Sequence, residues 1–185
     1  LYSKNDLKLK LEGENKLTNT ETDCDGIVME GNLTISGTGS LELFADYYGI
    51  WNESVYDEET DDYVGGSVVL ESGTVCIEAN ADGIYVKGNV TVNNGSLRVD
   101  AEEEGICAVG EIVVNGGYVD IAAYTNVMLS YGGISFKEDA VELFVPDGGN
   151  IFAGETCYYI VDAVGVTEHE KVMPKPGKSR LPPPE

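Results

Sequence analysis

The sequence predicts an all-β fold, a single-stranded right-handed parallel β-helix of about six coils with three short strands per coil. Two glycine columns that recur every 22 residues, apolar pairs that follow each column, and a third Gly-Ile column with similar spacing predict it. Gly73, Gly95, Gly117 and Asp139 stand 22 residues apart, ahead of Val75/Ile77, Leu97/Val99, Val119/Ile121 and Val141/Leu143. Gly66, Gly88, Gly110 and Gly132 keep the same spacing ahead of Val68/Leu70, Val90/Val92, Ile112/Val114 and Ile134/Phe136. Gly26-Ile27, Gly49-Ile50, Gly83-Ile84, Gly105-Ile106 and Val127-Met128 open the third strand of each coil. Residues two apart share one face of a strand, so each pair sends two side chains inward. A period of two excludes helical repeats, and a repeat of about 22 residues is too short for a four-stranded propeller blade. Stacked parallel coils remain, each adding about 4.8 Å along the axis.

The other elements follow in chain order. Leu7 to Leu11 alternates Leu and Lys as a strand, and Gly13-Glu14-Asn15 reads as a corner where Asn15 either bonds corner backbone or is simply solvated. Gly31 and Gly39 are eight residues apart where the other coils have seven, which predicts a bulge at Ser36-Gly37-Thr38. Gly49 to Gly83 spans 34 residues, so roughly eleven are inserted between Asn52 and Gly65. The expected β-helix covers residues 1–165, with this insert at 52–65 and a C-terminal cap from about 146 that includes Tyr158-Tyr159-Ile160-Val161. Residues 166–185, proline-rich from Pro174 onward, read as a linker or tail to a further segment.

Length and charge narrow the function. A chain of 185 residues suits one domain. Its 33 acidic against 11 basic residues give a net charge of −22, and the bases gather at the two ends. Such a field repels nucleic acid and anionic membranes and attracts cations. Cys24, Cys76, Cys107 and Cys157 lack C-x-x-C spacing and leave the redox compartment open. Cys76 and Cys107 point outward from different strands, with no bridge expected between them. The first residues are not a signal peptide, so an exported protein would have lost its signal before Leu1. Asn-x-Ser/Thr triplets at Asn32, Asn52, Asn89 and Asn94 are treated as β-helix composition.

Three constellations could carry chemistry. Ahead of the third glycine column run two ladders, Asp23, Asp46, Asn80, Glu102 and Asp25, Tyr48, Asp82, Glu104. Carboxylates one coil apart repel unless a cation lies between them, and calcium takes six to eight oxygens. Two readings stand: calcium on Asp23, Asp25, Asp46, Asp82, Glu102 and Glu104, or a solvated acidic edge. After Gly-Ile comes an outward column, Val28, Trp51, Tyr85, Cys107, Leu129, with Tyr47, Tyr48 and Tyr124 at the adjacent corner. Its rings either stack on sugar faces or lie under a neighbouring loop. The insert joins Trp51, Tyr56 and Tyr63 to five carboxylates, either a ligand site on a rigid scaffold or a disordered acidic loop.

Catalysis is the rival. A lyase acting on an acidic sugar needs a base and cations, yet Arg98 is the only arginine before the tail and His169, the only histidine, adjoins the linker. A glycosidase needs two carboxyls across a cleft, and no pair stands out among so many.

Asp25-Gly26-Ile27 and Asp82-Gly83-Ile84, followed by Gly-Asn-Leu-Thr-Ile at Gly31 and Gly-Asn-Val-Thr-Val at Gly88, resemble the bacterial carbohydrate-binding β-helix domains of secreted clostridial proteins, related in shape to pectate lyases. The resemblance covers about Asp23 to Leu143 and implies binding of acidic plant polysaccharide with calcium. The family's corner aspartate is replaced here by Tyr48, Glu104 and Asn126, which puts calcium in question coil by coil. The expectation is a monomeric, secreted or cell-surface bacterial module, more binder than enzyme, holding polysaccharide through Trp51, Tyr56, Tyr63, Tyr47, Tyr48 and Tyr85. A surface adhesin or spacer contacting protein partners is the alternative, and a polysaccharide lyase or glycoside hydrolase comes third.

Overall fold

The computed structural model describes residues 1–137 in full and, beyond them, the backbone of four strands, Val141–Phe144, Asn150–Ala153, Cys157–Asp162 and Gly165–Glu170. The first coil comprises β1 (Tyr2–Ser3), β2 (Leu7–Leu11) and β3 (Glu14–Asn19), and the second β4 (Ile27–Met29), β5 (Leu33–Gly37) and β6 (Ser40–Ala45). The third holds β7 (Ile50–Asn52), the insert strands β8 (Val55–Asp57) and β9 (Asp62–Val64), then β10 (Val68–Leu70) and β11 (Thr74–Ala79). β12 (Ile84–Val86), β13 (Val90–Val92) and β14 (Ser96–Ala101) form the fourth, and β15 (Ile106–Ala108), β16 (Glu111–Val114) and β17 (Gly117–Ala123) the fifth. β18 (Met128–Ser130), β19 (Gly133–Phe136) and β20 (Val141–Phe144) complete the sixth, before β21 (Asn150–Ala153), β22 (Cys157–Asp162) and β23 (Gly165–Glu170).

Corresponding strands stack into three sheets, so the chain is the β-solenoid of about six turns expected from the glycine columns. The first sheet runs β1-β4-β7-β12-β15-β18-β21 in parallel and ends in antiparallel β22 and β23. The second and third, β2-β5-β10-β13-β16-β19 and β3-β6-β11-β14-β17-β20, are parallel throughout. Inside, like stacks on like: Ile27, Ile50, Ile84, Ile106 and Met128 pair in sequence and are each 0–2% exposed. Each such side chain contributes about 2 kcal/mol by leaving water.

Two elements add to or depart from the sequence reading. β1 completes the first coil by pairing with β4, a strand too short to show periodicity. The last repeat of the third sheet is corrected: Val119 pairs with Leu143, and Gly117 with Val141 in place of Asp139. A slip of two residues within a paired strand keeps the in-and-out alternation, whereas a slip of one would reverse every side chain. The proline-rich segment from 171 onward lies outside the described residues.

Corners satisfy their amides through side chains. Between the first and second sheets, Asn32 Oδ1 accepts from Ser67 N at 2.9 Å, Ser67 Oγ from Asn89 N at 2.9 Å, and Asn89 Oδ1 from Glu111 N at 2.8 Å. The Gly-Asn motif thus supplies an acceptor for the next coil's backbone donor. At the first corner, Asn15 Nδ2 donates to Ser40 O at 2.9 Å, so this asparagine bonds backbone. The bulge is present just past Gly37: Thr38 N and Gly39 N both donate to Leu11 O at 3.1 Å, while Gly37 N–H, at φ +115°, turns to Ser72 Oγ at 3.0 Å. Gly83 is required for close approach, because a Cβ there would lie 2.2 Å from Val99 Cγ1 and 2.6 Å from Gly105 O.

Gly83→Ala must therefore push adjacent coils apart. It is expected to destabilise the protein by about 3 kcal/mol, read as a lowered urea midpoint, while Asn94→Ala on an exposed corner stays within about 0.5 kcal/mol.

Candidate functional site

The corner between the third and first sheets carries the aromatic residues. Tyr47 and Tyr48 lie on the turn that enters β7, while Trp51 on β7 and Tyr85 on β12 are register partners whose side chains point outward. Inward Ile50 and Ile84 fix this direction, since alternation sends their neighbours to the opposite face. Tyr48 is the hub: its ring centroid is 4.3 Å from Tyr47, 5.9 Å from Trp51 and 5.8 Å from Tyr85. It takes the place of a corner aspartate and fills it with a ring. All four are half-buried, which leaves part of their surface to solvent. Burial, ahead of the neighbouring Tyr47 hydroxyl, holds the Tyr48 phenol far above its ordinary range, so it stays neutral. Tyr124, at 83% exposed, has no ring contact among the described residues.

The outward column continues Val28, Trp51, Tyr85, Cys107, Leu129. Cys107 is 6% exposed, and burial pushes its thiol well above the usual thiol range. Such a thiol is inert. Cys24, Cys76 and Cys107 are unbridged.

Beside the rings lies the acidic corner. Asp82, Glu103 and Glu104 bring carboxylate oxygens within 4.8 Å of one another. Asp82 is 5% exposed and its Oδ1 accepts the Glu104 amide at 3.0 Å. Burial first, then Glu104 and the charge of Glu103, raise the Asp82 carboxyl well above the ordinary carboxylate range. A donor set made only of oxygen suits a hard cation such as calcium. The adjoining Tyr85 hydroxyl is buried without a partner among the described residues, one more oxygen beside the carboxylates.

The ladders divide. Asp82 and Glu104 join the cluster with Glu103, which was missed because a period of two does not hold through a corner. Asp25 Oδ1 accepts the Tyr48 amide at 3.0 Å, and burial raises its carboxyl. Asp46 accepts the Asp23 amide at 3.0 Å and the Asn80 amide group at 3.1 Å, and Glu102 is exposed. These four stand outside the cluster, and Asp25 and Asp46 act as acceptors for the next coil.

The insert is an ordered antiparallel hairpin, with Tyr56 opposite Tyr63, their centroids 5.4 Å apart, and Asp57 opposite Asp62. Asn52, 1% exposed, anchors its base by donating to Met29 O at 2.7 Å. The two tyrosines pair with each other and form a second aromatic patch.

Because Asp82 favours its protonated form, its contribution to stability is complete below the unfolded value of 3.8 and is lost as pH rises toward the higher folded value. Asp82→Asn keeps the acceptor and removes the charge. In EDTA the variant should melt about 3 °C above the parent near pH 8 and together with it near pH 4.

No curated protein and no solved structure matches the chain. A family described as "Carbohydrate-binding domain-containing protein" matches residues 1–143. With its glycine-spaced coils and outward rings inside the matched region, the chain belongs to this family of carbohydrate-binding domain-containing proteins.

Proposed function

We propose that the chain is a non-catalytic module of the cell surface or secreted fraction that holds an acidic polysaccharide against Tyr47, Tyr48, Trp51 and Tyr85. The observation that carries the reading is the contact of Tyr48 with Trp51 and Tyr85 across two coils. Ring faces stack on the C–H faces of pyranose sugars, and neighbouring polar groups hold the hydroxyls. A rigid sheet presents the rings at no ordering cost, the condition under which modest contacts yield affinity.

Calcium is the proposed cofactor, held by Asp82, Glu103 and Glu104. It would neutralise three like charges and offer open coordination positions to a sugar carboxylate. Without it, the same corner repels an anionic chain. Two arrangements favour binding over cleavage. Asp82 is 5% exposed, too enclosed to reach a glycosidic bond. Arg98 faces out from the third sheet with its guanidinium 2.8 Å from Asp120, away from the rings.

Affinity electrophoresis on polygalacturonate, with and without calcium, tests the reading. Trp51→Ala is expected to weaken retention about tenfold, the equivalent of 1.4 kcal/mol, and EDTA to abolish it. Failure to be retarded by polygalacturonate or by any neutral polysaccharide overturns the proposal. Millimolar calcium should also raise the melting temperature of the parent at neutral pH and leave that of Asp82→Asn unchanged.

A further inference from the structure

We infer that the β8–β9 hairpin is the docking site of the chain's own basic, proline-rich segment, residues 171–185. The hairpin stands apart from the three sheets, and a two-stranded ribbon alone in water is marginally stable. Tyr56 and Tyr63, opposite each other, place two rings on one face at 46% and 43% exposure, and Val55 and Val64 expose the other at 43% and 46%. Its charge is of one sign: residues 53–64 hold six carboxylates and no base. The ribbon therefore offers an apolar, aromatic face ringed by negative charge.

Of the two basic ends of this strongly acidic chain, the last fifteen residues carry the greater positive charge, Lys171, Lys175, Lys178 and Arg180 against Glu185. Leu181-Pro182-Pro183-Pro184 follows directly on Arg180. Proline-rich chains favour an extended helix that loses little entropy on binding, and aromatic faces are what such helices dock on. A guanidinium beside the same rings adds a cation–π contact.

The topology gives the segment the reach. β22 and β23 reverse direction twice, so β23 runs parallel to β7 and both end at the same edge of the first sheet. From β23 to β7 there are six inter-strand steps, or about 29 Å at the usual spacing. Ten residues of extended polyproline helix span about 31 Å. Residues 171–180 cover that distance and bring Leu181 to Pro184 to Tyr56 and Tyr63.

Zero-length carbodiimide cross-linking of the full chain, mapped by mass spectrometry, tests it. Lys178, the lysine nearest the docked Leu181 to Pro184, is expected to join hairpin carboxylates in preference to other acidic surfaces. The yield should fall about tenfold in 0.5 M NaCl, where charges are screened within a few ångströms, and likewise in Tyr56→Ser/Tyr63→Ser. Equal labelling of acids elsewhere, or a yield indifferent to the double variant, overturns the proposal. Mixing ¹⁴N- and ¹⁵N-labelled chains separates the occupants: mixed-isotope cross-links would assign the site to a second copy and overturn docking in cis.

Discussion

Coil-on-coil hydrogen bonding is the constraint from which the rest of this structure follows. A strand donates and accepts to the strand one turn away, and the ladder continues through the corner where Gly49 N bonds Asp82 O at 3.0 Å and Gly83 N bonds Glu104 O at 2.9 Å. An unbroken ladder leaves no freedom in coil length between strands, so each residue faces its counterpart one repeat away. Isoleucine on isoleucine is then favourable inside, while carboxylate on carboxylate is costly at the surface.

The chain manages that cost with its own backbone. Asp25, Asp46 and Asp82 each accept an amide hydrogen from a neighbouring coil, as Asn32 and Asn89 do at the opposite corner. An acidic corner residue is thus first a capping group. Where several acids converge, at Asp82, Glu103 and Glu104, one amide cannot neutralise them all. Burial, with Glu104 and the charge of Glu103 added, raises the carboxyl of Asp82, the most buried member.

Variation is admitted where it leaves the pairing of the strands intact. The hairpin leaves β7 at Asn52 and returns at Gly65 without disturbing the pairing of Trp51 with Tyr85. Replacement of a corner aspartate by Tyr48 likewise preserves the backbone and changes what the corner presents. A stiff scaffold tolerates both because its stability resides in the inward residues and its chemistry in the outward ones.

The sequence by itself determined the solenoid, its three sheets, the position of the insert and the outward column from Val28 to Leu129. Each is a consequence of period two and of spacing near 22, properties that survive without coordinates. Tertiary structure alone decided which corner residues meet. Glu103 joins Asp82 and Glu104, Asp25 turns to an amide, and Tyr56 pairs with Tyr63 apart from Trp51. The two-residue slip at Val119 and Leu143 was hidden because it conserves alternation. Strands have a fixed side-chain direction that a pattern reveals, whereas corners and hairpin tips take theirs from local dihedrals and the neighbouring coil, which spacing does not encode.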